Sequence, residues 1–232
     1  MAKDLSRIKV IFLDVGSTLV DEDPVHIARF AKLIPEIEKN TGRRPTINEY
    51  IGKVYEIGAA RYGVAYAALY ALGMPHGIHM PYNAAYERIY PNVKNGLKRL
   101  SEVCRLGIIA NQRPGLPEHL KELGVYEYLD SGLIFGSDDV GMEKPDERIF
   151  RAALEKAGVT PEESIMVGDR PDNDIIPANL IGMCTARIHS GPNGRLVDGS
   201  PEAVPDIDAA NFLDFTEKML GCLLPQQNPE NE

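Results

Sequence analysis

The chain of 232 residues is short of cysteine, of long apolar runs and of basic charge, and each shortage removes a class of function. Cys104, Cys184 and Cys222 are odd in number and far apart, with no CxxC pair and no Cys/His cluster. That pattern excludes the common zinc-binding arrangements. Cys104 and Cys184 lie in apolar runs, so reduced, buried thiols of a cytoplasmic protein are expected. Nowhere do about 18 apolar residues run together, which leaves no candidate transmembrane helix. Met1-Ala2-Lys3-Asp4-Leu5 carries no apolar signal core, and cytoplasmic residence is the expectation. Acidic side chains number 34 against 25 basic ones, a net charge of −9. No attraction to nucleic acid or to an anionic membrane follows from that balance. The basic stretch from Lys39 to Arg44 is too short to alter it and reads as a solvated helix end.

What is present is an ordinary soluble composition, 44% apolar and 25% charged. Its most telling feature is the run Val10-Ile11-Phe12-Leu13, ending in Asp14 and opening into Val15-Gly16-Ser17-Thr18. A buried strand that ends in a carboxylate sets that acid at a sheet edge, as a nucleophile or a metal ligand. Gly16, two residues on, supplies no side chain where a second acid would work.

After this strand the spacing turns helical. Asp23-Pro24 offers an N-cap and an N1 proline, and apolar residues recur from Ile27 to Ile37. Thr46-Ile47-Asn48-Glu49 is a capping box opening a second helix. Further helices are expected near 63–72 and 82–89, with no strand between 20 and 100. From Leu106 onward strands and helices alternate: strands at 106–110, 133–135, 165–167 and 184–188, helices at 116–123, 146–157 and 172–181. Gly124, Gly158 and Gly182 fall where helices would stop. Alternation of this kind predicts an α/β fold with a parallel sheet and crossover helices on its faces. The expected division is a core of 1–19 with 91–224, a helical insertion at 20–90, and a disordered polar tail at 225–232.

In open parallel sheets, ligands sit beyond the carboxyl ends of the strands. That rule gives Asp14, Asn111, Lys144 and Asp169 one destination. Asp169 and Asp174, in Gly168-Asp169-Arg170-Pro171-Asp172-Asn173-Asp174, would join Asp14 there. Carboxylates so gathered raise one another's pKa, and a hard divalent cation such as Mg²⁺ relieves the repulsion. Asp172 reads instead as a stabiliser of a helix N-terminus. Lys144 precedes Pro145, which discourages helix at the lysine, and its ammonium can neutralise Asp14 and a bound anion together.

In this order the residues carry a family resemblance: the chain resembles the haloacid dehalogenase superfamily of hydrolases. Asp14 and Thr18 match the first and last positions of its Asp-x-Asp-x-Thr motif. Ala110 falls at the Ser or Thr of the second motif, Lys144 at the lysine of the third, and Gly168-Asp169 with Asp174 fits the fourth. The resemblance implies a Rossmann-like three-layer core with a small all-helical cap inserted after the first strand. It implies that Asp14 attacks phosphorus and forms an aspartyl-phosphate. Asp14, the Gly16 carbonyl, Asp169 and Asp174 would hold Mg²⁺, while Thr18, Asn111 and Lys144 would hold the phosphate. The expected substrate is a small phosphorylated metabolite, and the expected state a monomer or homodimer.

Two departures stand out. Gly16 replaces the acid that in family phosphatases protonates the leaving group, help worth about 10²–10⁴-fold. Ala110 replaces a hydroxyl that would bond a phosphoryl oxygen. Both leave alternatives open: a phosphonatase using a cap lysine (Lys32, Lys39 or Lys53), a dehalogenase, or a metabolite-binding protein of low activity. His26, His76, His79, His119 and His189 complete no nucleophile–base motif. Tyr55, Tyr62, Tyr66 and Tyr70 read as cap packing or a subunit contact. Arg113 and Arg170 follow cleft residues and read as surface charges that can meet a substrate anion.

Overall fold

The computed structural model describes residues 3–60, 64–78, 82–112 and 114–224. Tyr62, His79, Arg113 and the tail 225–232, which figure in the expectations above, lie outside the described residues. The strands are β1 (Val10–Leu13), β2 (Val20–Asp21), β3 (Arg88–Ile89), β4 (Arg105–Ala110), β5 (Ile134–Gly136), β6 (Ser164–Gly168), β7 (Cys184–Ile188) and β8 (Ile207–Ala209). The helices are α1 (Asp23–Thr41), α2 (Ile47–Gly58), α3 (Val64–Ala71), α4 (Val93–Ser101), α5 (Leu116–Leu123), α6 (Ser137–Val140), α7 (Glu147–Ala157), α8 (Ile176–Leu180) and α9 (Phe212–Leu223).

Six strands form one parallel sheet in the order β5-β4-β1-β6-β7-β8. The short apolar runs that define them are buried on both faces, as parallel strands covered by helices must be. Along β1, Ile11 and Leu13 join the apolar layer built with Val93, Leu97 and Leu100 of α4 and with Phe212 and Phe215 of α9. Val10 and Phe12 point the other way, into a layer with Ile149 and Phe150 of α7 and Ala178 of α8. Each fully buried side chain of this size stabilises the fold by roughly 1.5–3 kcal/mol. β1 lies between β4 and β6, with Leu13 opposite both Ile108 and Val167. Connections run outward from β1 in both directions, so Asp14 emerges where the strand order reverses, the place such sheets reserve for ligands.

The α/β class, the parallel sheet and the helices at 116–123 and 146–157 agree with the sequence reading. Gly124 and Gly158 stop their helices at φ 68° and 69°. Four expectations are corrected. First, strands do occur between residues 20 and 100: β2 and β3 pair antiparallel, Val20 with Ile89 and Asp21 with Arg88, at the root of the insertion. Two-residue strands are too short to show a period. Second, the helix expected at 82–89 is a 3₁₀ turn at Ala84–Tyr86 followed by β3. Third, α1 begins with Asp23 inside the helix, and Asp21 Oδ1 accepts the Asp23 N–H at 2.9 Å. Fourth, the helix expected at 172–181 opens as a wide π-type turn, Pro171–Ile175, before α8. The helices α4 and α9 and strand β8 add to what the alternation revealed.

The insertion has its own apolar centre, Phe30, Leu33, Ile37, Tyr50, Val54 and Leu69 among others. Phe30 and Tyr50 stack at 4.6 Å between ring centroids. The capping box of α2 is complete, with Thr46 and Glu49 satisfying each other's backbone. The insertion closes onto the core where Asn193 Nδ2 donates to Gly58 O at 3.0 Å. A Cβ on Gly58 would fall 2.2 Å from Pro192 O, so only glycine permits this approach. The three cysteines are free thiols, Cys184 buried and the others half-buried. Among the described residues no helix is long and apolar enough to cross a membrane.

Candidate active site

Asp14 follows β1 and is anchored by its own N–H, which donates to Val167 O at 2.9 Å. Asp169 follows β6 next door, and the turn Pro171–Ile175 carries Asp174 back over the strand end. A Cβ on Gly168 would lie 2.2 Å from Asp174 Oδ2, so the glycine makes room for that carboxyl. Oxygens of Asp14, Asp169 and Asp174 all come within 4.8 Å of one another. Lys144 reaches into this group from the loop before α7 and is only 3% exposed. Its Nζ donates to Asp14 Oδ1 at 2.7 Å and to Asp174 Oδ1 at 2.6 Å. Lys144 is thus a buried lysine with two anionic partners.

The electrostatics follow from burial. Desolvation by itself would lower the Lys144 pKa, but Asp14 and Asp174 outweigh it and the ammonium is held charged. Burial raises the Asp169 carboxyl well above the ordinary range, and the charges of Asp174 and Asp14 push it further. Burial also raises Asp174, against the pull of Lys144. Among the described residues Asp169 forms no ion pair. A set of hard oxygen donors, one of them buried without a cation, suits a divalent ion such as Mg²⁺.

The remaining expected residues divide. Asn111 lines the cleft and holds the Lys144 backbone: Oδ1 accepts the Lys144 N–H and Nδ2 donates to Lys144 O, both at 2.8 Å. It fixes the lysine's loop with these two bonds, which leaves one Nδ2 hydrogen for a ligand in the cleft. Thr18, also expected at the phosphate, is wholly buried and does not line the cleft; Ser17 does, in a left-handed conformation at φ 54°. Gly16 lines the cleft, whereas Ala110 is buried in the core. Of the cap lysines, Lys32 and Lys39 are exposed, Lys53 pairs with Glu56, and none lines the cleft. Arg170 lines it with its guanidinium on Asp172, at 3.0 and 2.6 Å. Asp172 is therefore an arginine partner as well as a first-turn acid.

The cleft is about 350 Å³, and a second cavity of about 430 Å³ shares Glu22, Asn111 and Gln112 with it. Glu22 was not singled out by the sequence, and it is the largest surprise of the site. A Cβ built on Gly16 would fall 2.7 Å from Glu22 Oε2, so this carboxyl stands where a side chain at 16 would begin. Burial pushes Glu22 up to about 7, with the Tyr82 hydrogen bond opposing and the charges of Glu87 and Asp14 adding to the rise. Tyr82 Oη lies 2.7 Å from Glu22 Oε1 and 2.5 Å from Glu87 Oε1. Glu87 Oε2 in turn meets His119 Nε2 at 2.7 Å, and that bond raises the His119 pKa. His26 also lines the cleft; burial, helped by Arg29, pushes its imidazole down to about 4. No local pattern could have linked these residues, which come from both ends of the insertion and from α5. The one available signal was the surplus of acid in Asp21-Glu22-Asp23 shortly after a strand-end glycine.

A family model for haloacid dehalogenase-like hydrolases matches residues 8–182 of this chain. A glyceraldehyde 3-phosphate phosphatase of Methanothermobacter thermautotrophicus is 31% identical over 78% of this chain and 74% of its own length. One of Methanopyrus kandleri is 37% identical, and that match spans about half of each protein, 53% of both. Among solved structures, a phosphatase from Thermococcus onnurineus superposes with a TM-score of 0.63 at 22% identity, over 92% of this chain and 98% of that one. At that identity the superposition speaks for the fold.

Proposed function

This chain belongs to the haloacid dehalogenase-like hydrolase family, and from that premise we propose that it is a phosphatase of small phosphorylated metabolites. The observation that carries the reading is the group at the strand ends: Asp14 on a buried lysine, with Asp169 and Asp174 within 4.8 Å. The curated relatives described above are named as phosphatases of glyceraldehyde 3-phosphate, a small alkyl phosphate. Free thiols and the lack of a membrane-spanning helix among the described residues fit residence in the cytoplasm.

In this reading Asp14 is the nucleophile. Its free oxygen attacks phosphorus and forms an aspartyl-phosphate, which water then hydrolyses. Lys144 keeps Asp14 oriented and offsets the charge that the phosphoryl group brings into the cleft. Asn111 keeps Lys144 in place through its backbone. Asp14, the Gly16 carbonyl and Asp169 would hold Mg²⁺, with Asp174 beside them, and the ion would supply further charge neutralisation for the phosphoryl oxygens. The helical insertion covers the cleft and limits water. A dehalogenase needs no such ion, and retention of Asp169 beside Asp174 weighs for the phosphatase.

The test is phosphate release from a panel of metabolites, including glyceraldehyde 3-phosphate and phosphoserine, with and without Mg²⁺. Turnover that needs Mg²⁺ and vanishes in Asp14→Asn is the expected result. A wild-type chain no faster than Asp14→Asn on every ester, while still stabilised by a ligand, would make the protein a binder instead.

A further inference from the structure

We propose that Glu22 is the proton-transferring residue of this cleft, giving a proton to the departing ester oxygen and later taking one from the attacking water. The proposal rests on the phosphatase reading above and deepens it. An alkoxide is a poor leaving group, so hydrolysis of an alkyl phosphate calls for an acid within the cleft. The other carboxyls that line it are occupied. Asp14 and Asp174 share Lys144, Asp169 belongs to the cation-binding group, and Asp23 accepts the Tyr55 hydroxyl at 2.9 Å.

Position is the first support. The Glu22 carboxyl borders the space over Gly16, with Oε2 at 2.7 Å and Cδ at 3.2 Å from a Cβ built there. The chain is turned back to achieve this. Gly16 bridges to Val20, and the Ser17 N–H donates to Val20 O at 2.9 Å, with Ser17 left-handed between them. Glu22 thereby faces the same cleft as Asp14, from the insertion's side.

Hydrogen-bond stoichiometry is the second. Tyr82 Oη contacts one oxygen of Glu22 and one of Glu87. A phenol has a single proton, so both contacts are satisfied only when one of the two carboxyls carries a proton of its own. Glu87 Oε2 lies 2.7 Å from His119 Nε2, away from the cleft beside Asp14, whereas Glu22 Oε2 opens on the space over Gly16 in that cleft. The acid proton that can reach the cleft is therefore the one on Glu22. Once it leaves, the Tyr82 hydroxyl can turn from Glu87 to Glu22 and support the new carboxylate.

The step balances. Asp14 forms a bond to phosphorus as the ester P–O bond breaks, and the ester oxygen departs with the Glu22 proton as an alcohol. Water then attacks phosphorus, the bond to Asp14 breaks, and the water's proton returns to Glu22. Alcohol and phosphate are the products, and the protein is restored.

The experiment uses the full chain with Mg²⁺ and two esters: the best alkyl phosphate of the panel above, and 2,4-dinitrophenyl phosphate, whose leaving group needs no proton. Glu22→Gln is expected to slow the alkyl ester by about 10²–10⁴-fold. With the dinitrophenyl ester it should release a first equivalent of dinitrophenolate at within about threefold of the wild-type rate and then stall, because water is no longer activated. A burst followed by a stall is not what a merely structural loss produces. A relocation variant guards against misfolding: Gly16→Asp added to Glu22→Ala should regain at least about tenfold over Glu22→Ala alone on the alkyl ester. Retention of alkyl-ester turnover in Glu22→Gln overturns the inference, as does an equal loss on both esters without a burst. So does the same burst and stall in His26→Gln with Glu22→Gln unaffected. If wild type and Asp14→Asn are equally inert, the phosphatase reading itself fails; if wild type is active and Asp14-dependent but Glu22→Gln matches it, only this inference fails.

Discussion

The two sides of the cleft handle acid groups in different ways. On the core side, Asp14 and Asp174 close on a lysine that is 3% exposed, so their negative charge is met by a full ammonium. On the side of the insertion, Glu22 and Glu87 close on Tyr82, a neutral phenol with one proton to share. Burial is similar on both sides, and the partner makes the difference. An ammonium favours the charged form of a carboxylate, and at Asp174 it opposes the rise that burial causes, which suits the nucleophile and cation-binding group proposed above. A phenol between two carboxyls leaves one of them protonated, as an acid requires. Pairs of carboxyls whose surroundings drive them apart are a general sign of divided catalytic labour.

The contrast is broken most severely by Lys144→Met. It leaves Asp14 and Asp174 facing each other in a buried site without their cation, and losing one partner of a buried ion pair costs about 3–5 kcal/mol. Denaturant unfolding without Mg²⁺ is expected to show a loss of that size, and phosphatase turnover should disappear with it. Adding Asp174→Asn to Lys144→Met should recover part of the stability by removing one stranded charge, without restoring turnover. If Lys144→Met alone unfolds at the wild-type denaturant concentration, the ammonium is not what holds the core side together.

The same contrast explains how much of the site could be read in advance. The core side is written locally: Asp14, Asn111 and Asp169 each directly follow a strand, and Val10–Leu13, Arg105–Ala110 and Ser164–Gly168 are short runs dominated by apolar residues. Strand order then brings Asp14, Asn111, Lys144 and Asp169 together by topology alone. Even there, a side chain's actual use was hidden. Asn111 turns out to hold the Lys144 backbone, and Thr18 is buried and does not line the cleft. The side of the insertion is written nowhere locally. Glu22 meets Tyr82 across a separation of 60 residues, and the two-residue strands that fix the insertion's root are too short for periodicity. Glycine at 16 reads as a missing group until the turn through Ser17 shows what occupies the space.

Tyr82→Phe is a milder perturbation, confined to the side of the insertion. It deletes the shared proton but keeps the ring, which packs 5.7 Å from the Arg29 guanidinium. A hydrogen bond to a charged group is worth roughly 1.5–3 kcal/mol, so kcat on an alkyl phosphate is expected to fall about tenfold, with KM changed little. Steady-state kinetics on both esters checks this, and the loss should be smaller on dinitrophenyl phosphate. An unchanged kcat would mean that Tyr82 holds the insertion's position without taking part in the proton's placement.

The smallest effect lies at the far end of the same chain of contacts. His119 is mostly buried on Glu87, and that bond raises its pKa in the folded state above the ordinary value of about 6.5. The folded protein therefore binds this proton more tightly than the unfolded chain does. Its stabilising contribution is fully present below about pH 6.5 and fades as the pH climbs through the raised folded value. His119→Asn removes that contribution, so the gap in Tm between wild type and variant should be widest near pH 6 and narrow towards pH 9, by only a few degrees for one partly solvated pair. Comparing the difference between the two proteins cancels the titration of groups they share. A gap independent of pH would show that His119 serves Glu87 as a neutral donor.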